Sequence, residues 1–183
     1  DEVTRRAPGL RLIFRQTHSQ IVGRALMERS LDLAITAGGF AQRLLSRQVL
    51  GEGDYACLLD PASLAQGQQT LSLEAFAARE HLLVSSGGFI GITDEGLAGL
   101  GLSQRVCAST THFAALPFLL KGSQAVATIP THAARAIAGL SGLALLPCPL
   151  ALPRYPIELG WRTHTQMDPA VLKVREAIAA TFA

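Results

Sequence analysis

The chain has 183 residues, of which 49% are hydrophobic and 16% charged, with a formal net charge of +2. This composition supplies a substantial core for one domain or two small lobes and excludes a disordered chain. Lys and Arg are scattered, with only Arg5-Arg6 adjacent, which excludes an electrostatic footprint for DNA within these residues.

Leu10 to Thr17 alternates Leu10, Leu12 and Phe14 with Arg11 and Arg15, the pattern of a strand with one buried face. Ser19 is placed to cap a helix whose Ile21, Val22, Ala25 and Leu26 share one side. Leu31 to Thr36 then reads as an apolar strand, so a right-handed crossover and a parallel sheet are predicted. Gly38-Gly39 marks a turn. Two strands, Leu44 to Leu50 and Asp54 to Leu59, follow with no helix between them. A helix from Ser72 to Arg79 leads into a strand from His81 to Ser85, and Thr93 or Asp94 is expected to cap a short helix from Glu95 to Gly99.

Arg105 to Pro130 is the most informative stretch. Val106, Cys107 and Ala108 predict a short buried strand, and Thr110 or Thr111 is placed to cap a helix beginning near His112. Pro117 is expected to bend that helix and Gly122 to stop it. Ala125 to Ile129 is a second apolar strand, ended by Pro130. A helix over Thr131 to Ala138 and a strand over Leu143 to Pro147 complete a small doubly wound block. Pro147, Pro149, Pro153 and Pro156 form a stiff connector to a last strand, Ile157 to Thr163. Asp168-Pro169 starts a final helix with the stripe Val171, Val174, Ile178 and Phe182.

A strand-to-helix turn in an open sheet is where small ligands sit, because helix N-termini present unpaired N–H groups. The candidate binding residues are therefore Thr17, His18 and Ser19 after the first strand, Ser85 and Ser86 after the middle strand, and Thr110, His112 and Thr128 around the signature segment. Ser19 and one of the threonines compete with simple capping, and His112 with packing beside the helix start. The expected ligand is small and anionic.

Other chemistries find no support in the residues. Cys57, Cys107 and Cys148 stand about forty to fifty residues apart, which predicts buried, reduced thiols rather than a metal knuckle or a disulfide. His81, His132 and His164 lack i,i+4 or cysteine partners, so no metal and no cofactor are expected. Ser85-Ser86-Gly87-Gly88 is not a nucleophile elbow, and no acid pair separates two catalytic roles, so no enzyme is expected. No window approaches the roughly 20 apolar residues of a membrane span, and no secretory leader is read at the start.

The segment Arg105 to Pro130 resembles the co-inducer domain of LysR-type transcriptional regulators, in the branch of nodulation and aromatic-catabolism regulators. The resemblance rests on Thr110-Thr111-His112-Phe113, Gly122 and the run Ala125 to Pro130. It is supported by Ala7 to Leu12, Leu31 to Ile35, Trp161 and Asp168-Pro169-Ala170. It implies an α/β fold of two Rossmann-like lobes of the type 2 periplasmic-binding-protein kind, joined by two crossing strands. Residues 1–55 and 155–183 would form the first lobe and 56–154 the second, with the effector cleft between them. Domains of this type begin with a further strand before the Ala-Pro-Gly turn, so the first lobe is expected to be truncated.

The implied function is a cytoplasmic sensor of a small, possibly aromatic, organic acid. It would act as a homodimer or homotetramer on DNA through an upstream helix-turn-helix, with Ser19 to Arg29 and Phe113 to Leu120 at the subunit interface. A solute-binding protein of a transport system is the alternative.

Overall fold

The computed structural model describes residues 2–6, 8–17, 19–38, 44–85, 88–163 and 168–182, the side chains of 2, 19 and 20 excepted. The expectations for His18 and Ser86, and for the side chain of Ser19, fall outside this set. The chain divides into two compact units, Asp1–Glu52 with Tyr155–Ala183, and Gly53–Arg154.

The second unit is a five-stranded sheet in the order β5-β4-β6-β3-β7. Its strands are β3 (Tyr55–Leu59), β4 (Glu80–Val84), β5 (Arg105–Thr110), β6 (Val126–Pro130) and β7 (Ala144–Pro147). β4 runs parallel to β5 and β6, whereas β3 runs antiparallel to β6 and β7. The sheet is therefore mixed rather than purely parallel, with β3 following β2 (Leu45–Gly53) of the other sheet without a helix between them.

Side-chain alternation along β3 sorts the core into two layers. Ala56 and Leu58 face one cluster with Leu116 and Leu120 of α5 (Leu116–Leu120) and Ala134 of α6 (Thr131–Ser141). Cys57 and Leu59 face the other, with Phe76 of α3 (Leu73–Ala78) and Leu97 of α4 (Ile92–Ala98). Helices thus cover both faces of the sheet, as a sheet buried on both sides requires.

Local signals explain most boundaries in this unit. Ser72 caps α3 by accepting from the Ala75 amide at 3.1 Å. Gly142 ends α6 in the left-handed region at φ 73°, where a side chain is disfavoured.

Three expectations are corrected. α4 begins at Ile92, and neither Thr93 nor Asp94 is its cap. Gly91 holds that position, with its amide donating to Asp94 Oδ2 at 2.6 Å, while the Thr93 hydroxyl donates to Gln104 Oε1 at 2.6 Å. Pro117 lies in the first turn of α5, where its missing N–H is not needed, so it starts the helix instead of bending it. β5 is an edge strand, only half-buried, and Cys107 on it is exposed. Cys148 is partly exposed, so of the three thiols only Cys57 is fully buried.

The first unit holds a three-stranded sheet, β1-β8-β2, formed by β1 (Leu33–Thr36), β8 (Tyr155–Arg162) and β2. β1 and β8 are antiparallel, with Leu33 opposite Trp161. α2 (Ser19–Met27) buries Val22 and Leu26 against Leu31, Ala34 and Leu45. Glu158 of β8, with its side chain 5% exposed, pairs with Arg47 of β2 at 3.1 Å. α7 (Pro169–Phe182) opens as the Asp168-Pro169 pair predicts, Asp168 Oδ1 accepting from the Ala170 amide at 2.9 Å. It also sets Arg175 over the Trp161 ring at 4.6 Å, a cation–π contact.

The predicted strand Leu10 to Thr17 carries no ladder, and Ile13 and Phe14 are 80% and 87% exposed. A strand persists only when a neighbour pairs its N–H and C=O groups. Here an open groove of about 890 Å³ separates this segment from the free edge of β1. The groove is floored by Val171, Val174 and Ile178, the apolar stripe of α7. The crossover parallel pair expected from strand, helix and strand does not form among the described residues.

Two outcomes follow from the packing. Leu58, fully buried on β3, should cost about 2–5 kcal/mol when cut to alanine, read as a lower urea midpoint at unchanged m-value. His81 is 1% exposed, with Nε2 donating to the Phe76 carbonyl at 3.1 Å and its ring edge-on to Phe76 at 4.8 Å. Burial pushes its pKa below the ordinary 6.5, so the folded side chain stays neutral where the unfolded one takes up a proton. That contribution is fully present above about pH 6.5 and is lost as pH falls towards the depressed folded value. Urea stability should therefore drop from about pH 7.5 to about pH 5.5, and His81→Gln should flatten that slope. An unchanged slope in the variant would assign the acid sensitivity elsewhere.

Candidate functional site

The parallel strands β4 and β6 end at the same side of the second sheet. Antiparallel β3 begins there, since Tyr55 lies opposite Pro130 in the ladder. A pocket of about 250 Å³ opens at this end. Leu83 and Val84 from β4 and Thr128, Ile129 and Pro130 from β6 form one wall. Tyr55, Phe113 and the α4 start, Gly91 to Thr93, form the rest. The ends of parallel strands suit a ligand because the strand-to-helix connections leave a crevice with polar backbone at its rim.

The lining is apolar and aromatic with three hydroxyls, those of Tyr55, Thr93 and Thr128. Thr93 is buried and donates to Gln104, and the side chains of Tyr55 and Thr128 also line the pocket. Burial raises the Tyr55 pKa, so its phenol remains a neutral O–H donor at physiological pH. Thr128 Oγ1 also lies 3.7 Å from Cys57 Sγ. Among the described residues no Lys or Arg lines the pocket, so an anionic ligand there would be held by hydroxyl and backbone hydrogen bonds rather than by an ion pair.

Of the residues expected from sequence, Thr128 lines this pocket. Ser85 and Thr110 sit side by side at the ends of β4 and β5, the Ser85 amide donating to the Thr110 carbonyl at 2.9 Å. Thr110 Oγ1 accepts from the His112 amide at 3.2 Å and so bridges the turn, but the cap position is His112 itself, two residues on, so neither Thr110 nor Thr111 is the helix cap expected from sequence. His112 itself is exposed and precedes the short 3₁₀ turn Phe113–Ala115. The pocket wall contains Phe113 rather than these three. Thr17 is exposed and lines the groove of the first unit.

Sequence reasoning did not single out Tyr55, Ile92 and Phe113. Tyr55 reaches the pocket because β3 runs opposite to β6, and Ile92 and Phe113 reach it because they follow β4 and β5, placements that the local hydrophobic pattern does not disclose. Among the described residues there is no group of three His, Cys, Asp or Glu side chains able to hold a metal, and no helix is long and apolar enough to cross a membrane.

Comparisons with known proteins agree on the family. The chain is 25% identical over 189 residues to the HTH-type transcriptional activator NahR of Pseudomonas putida, covering all of this chain and 61% of that protein. It is 28% identical over 179 residues to the HTH-type transcriptional regulator SyrM of Rhizobium meliloti, covering 96% of this chain and 54% of that protein. It thus spans about half to three-fifths of the length of the curated relatives it matches. Among solved structures, the regulatory domain of MexT, a transcriptional activator in Pseudomonas aeruginosa, superposes with a TM-score of 0.86 at 26% identity. That match covers 97% of this chain and 88% of the other. The fold is accordingly the type 2 periplasmic-binding-protein-like α/β architecture of LysR-type regulatory domains. A LysR substrate binding domain model matches residues 1–183 from end to end, and the chain belongs to that family.

Proposed function

We propose that this domain senses a small organic acid, most simply one with a single aromatic ring, in the second-unit pocket. Through it, the domain sets the DNA-binding state of a cytoplasmic transcriptional regulator. The observation that carries this reading is the pocket at the ends of β4 and β6 in a domain of the LysR family. Its small volume and its Phe113, Ile92 and Ile129 walls favour a flat apolar body, and Tyr55 and Thr128 favour a polar edge. Ser85, Thr110 and His112 remain candidates for polar contacts to a larger effector, Ser85 and His112 being next in sequence to the lining residues Val84 and Phe113. Thr17, His18, Ser19 and Ser86 remain candidates from the sequence reading.

DNA binding would be supplied by a helix-turn-helix preceding these residues, as the names of NahR and SyrM suggest for those proteins. Oligomerisation is supported by exposed apolar side chains on the two helices expected at the interface, Ile21 and Met27 on α2 and Phe118 and Leu119 on α5. The effector must bind one arrangement of the assembly better than another, since only differential affinity shifts a population. The relatives favour regulation over solute transport, and turnover of the ligand is not part of this reading.

Thermal-shift titration with benzoates, salicylates, phenolics and aliphatic acids tests the proposal. A ligand at about 100 times its Kd should stabilise the fold by about 2.7 kcal/mol. Thr128→Val and Phe113→Ala should each weaken that response by at least about tenfold in affinity, or about 1.4 kcal/mol. A response that both variants leave unchanged would move the effector out of this pocket.

A further inference from the structure

Large apolar side chains stand in water just ahead of α4. Phe89 is 67% exposed, Ile90 75% and Ile92 41%. Ile92 lines the second-unit pocket, as do Gly91 and Thr93. Consecutive Cα atoms are about 3.8 Å apart, so Ile90 is one step from that wall and Phe89 at most about 7.6 Å from it. A contiguous run of exposed apolar residues beside an apolar cavity is a surface that gains by being covered.

The two ends of the segment differ. Gly91 is held: its amide donates to Asp94 Oδ2 at 2.6 Å, and a Cβ there would stand 3.2 Å from Cδ2 of Leu83, another residue of the pocket wall. Gly88 is open: it adopts φ 95°, a conformation that side chains disfavour, and a Cβ there would meet no atom within 4 Å. One end of Phe89-Ile90 is thus fixed to the pocket, and the other has the backbone freedom and the space that a hinge needs.

We propose that Phe89 and Ile90 form an apolar flap, anchored at Gly91 and hinged at Gly88, that folds over the pocket when a small organic ligand fills it. The inference rests on the effector reading of that pocket and adds to it a class of ligand and a kinetic role.

The class follows from desolvation. A closed flap takes water away from the outer edge of the ligand and offers only Phe89 and Ile90 in exchange. An apolar outer edge gains from that exchange, whereas a second charge there would lose its hydration without a cation among the described lining residues to pair with it. The flap therefore favours acids with one polar edge, turned to the hydroxyls of Tyr55 and Thr128, and an apolar edge opposite. The kinetic role follows from order. Closure comes after entry, so the flap slows dissociation and leaves association nearly unchanged.

Benzoate, 4-methylbenzoate and terephthalate serve as probes, the second carrying an apolar group and the third a second carboxylate opposite the first. Methyl shifts at Leu83 and Ile129 report occupancy of the pocket. In the unsubstituted protein, relaxation enhancement of the Ile90 methyl by a soluble gadolinium chelate should fall severalfold when 4-methylbenzoate saturates. The methyls of Leu140, 92% exposed on α6, should not change. The double variant Phe89→Ala, Ile90→Ala, shown to be folded by an unchanged urea midpoint, should release 4-methylbenzoate about tenfold faster at nearly the same association rate. It should also lose the preference for 4-methylbenzoate over terephthalate. Saturating shifts at Leu83 and Ile129 with Ile90 as accessible as before, or with an unchanged release rate in the double variant, would overturn the flap and leave the pocket reading standing. No saturable shift at Leu83 and Ile129 with any of the three would overturn the flap together with the reading it rests on.

Discussion

Burial of β3 on both faces is the constraint on which the second unit depends. Tyr55 to Leu59 offers five residues whose last four are almost completely removed from water, and every backbone group along them must be paired. β6 and β7 supply that pairing from opposite sides. The period-2 alternation of the strand then requires an apolar layer on each face, which α5 and α6 provide on one side and α3 and α4 on the other. Because β3 runs against β6, its first residue comes to lie beside the last residues of β4 and β6. The pocket is a consequence of that direction: Tyr55 meets Thr128 to Pro130 only in an antiparallel ladder.

The first unit shows the converse. Among the described residues its sheet has three strands, and the segment Leu10 to Thr17 holds the sequence of a half-buried strand but joins no ladder. The alternation of Leu10, Leu12 and Phe14 encodes which face is apolar, but alternation alone cannot satisfy a backbone. The open groove beside β1 is larger than the second-unit pocket, and size alone would favour it as a ligand site. Its walls are the segment Leu10 to Thr17, the edge strand β1 and the α7 stripe.

The fold was legible in sequence wherever a local rule decided the outcome. Asp168-Pro169 starts α7, Ser72 caps α3, and the apolar runs at Leu31, His81, Ala125 and Leu143 each contain a strand. What was not legible depended on partners distant in sequence. Pro117 reads as a kink until the helix is seen to begin at Leu116. Cys107 reads as buried until β5 proves to be an edge strand. Thr93 reads as a cap until Gln104 claims its hydroxyl. The site was legible to the same degree: Thr128 followed from the signature segment, while Tyr55, Ile92 and Phe113 required the strand order.

Methyl-resolved NMR of the domain with an effector titrated in locates the ligand. Occupancy of the pocket at the ends of β4 and β6 should give shifts that saturate together at Leu83, Val84, Ile92, Thr128 and Ile129, while Val171, Val174 and Ile178 on the floor of the first-unit groove stay in place. Saturable shifts confined to those three α7 residues, with the second-unit methyls unmoved, would contradict it.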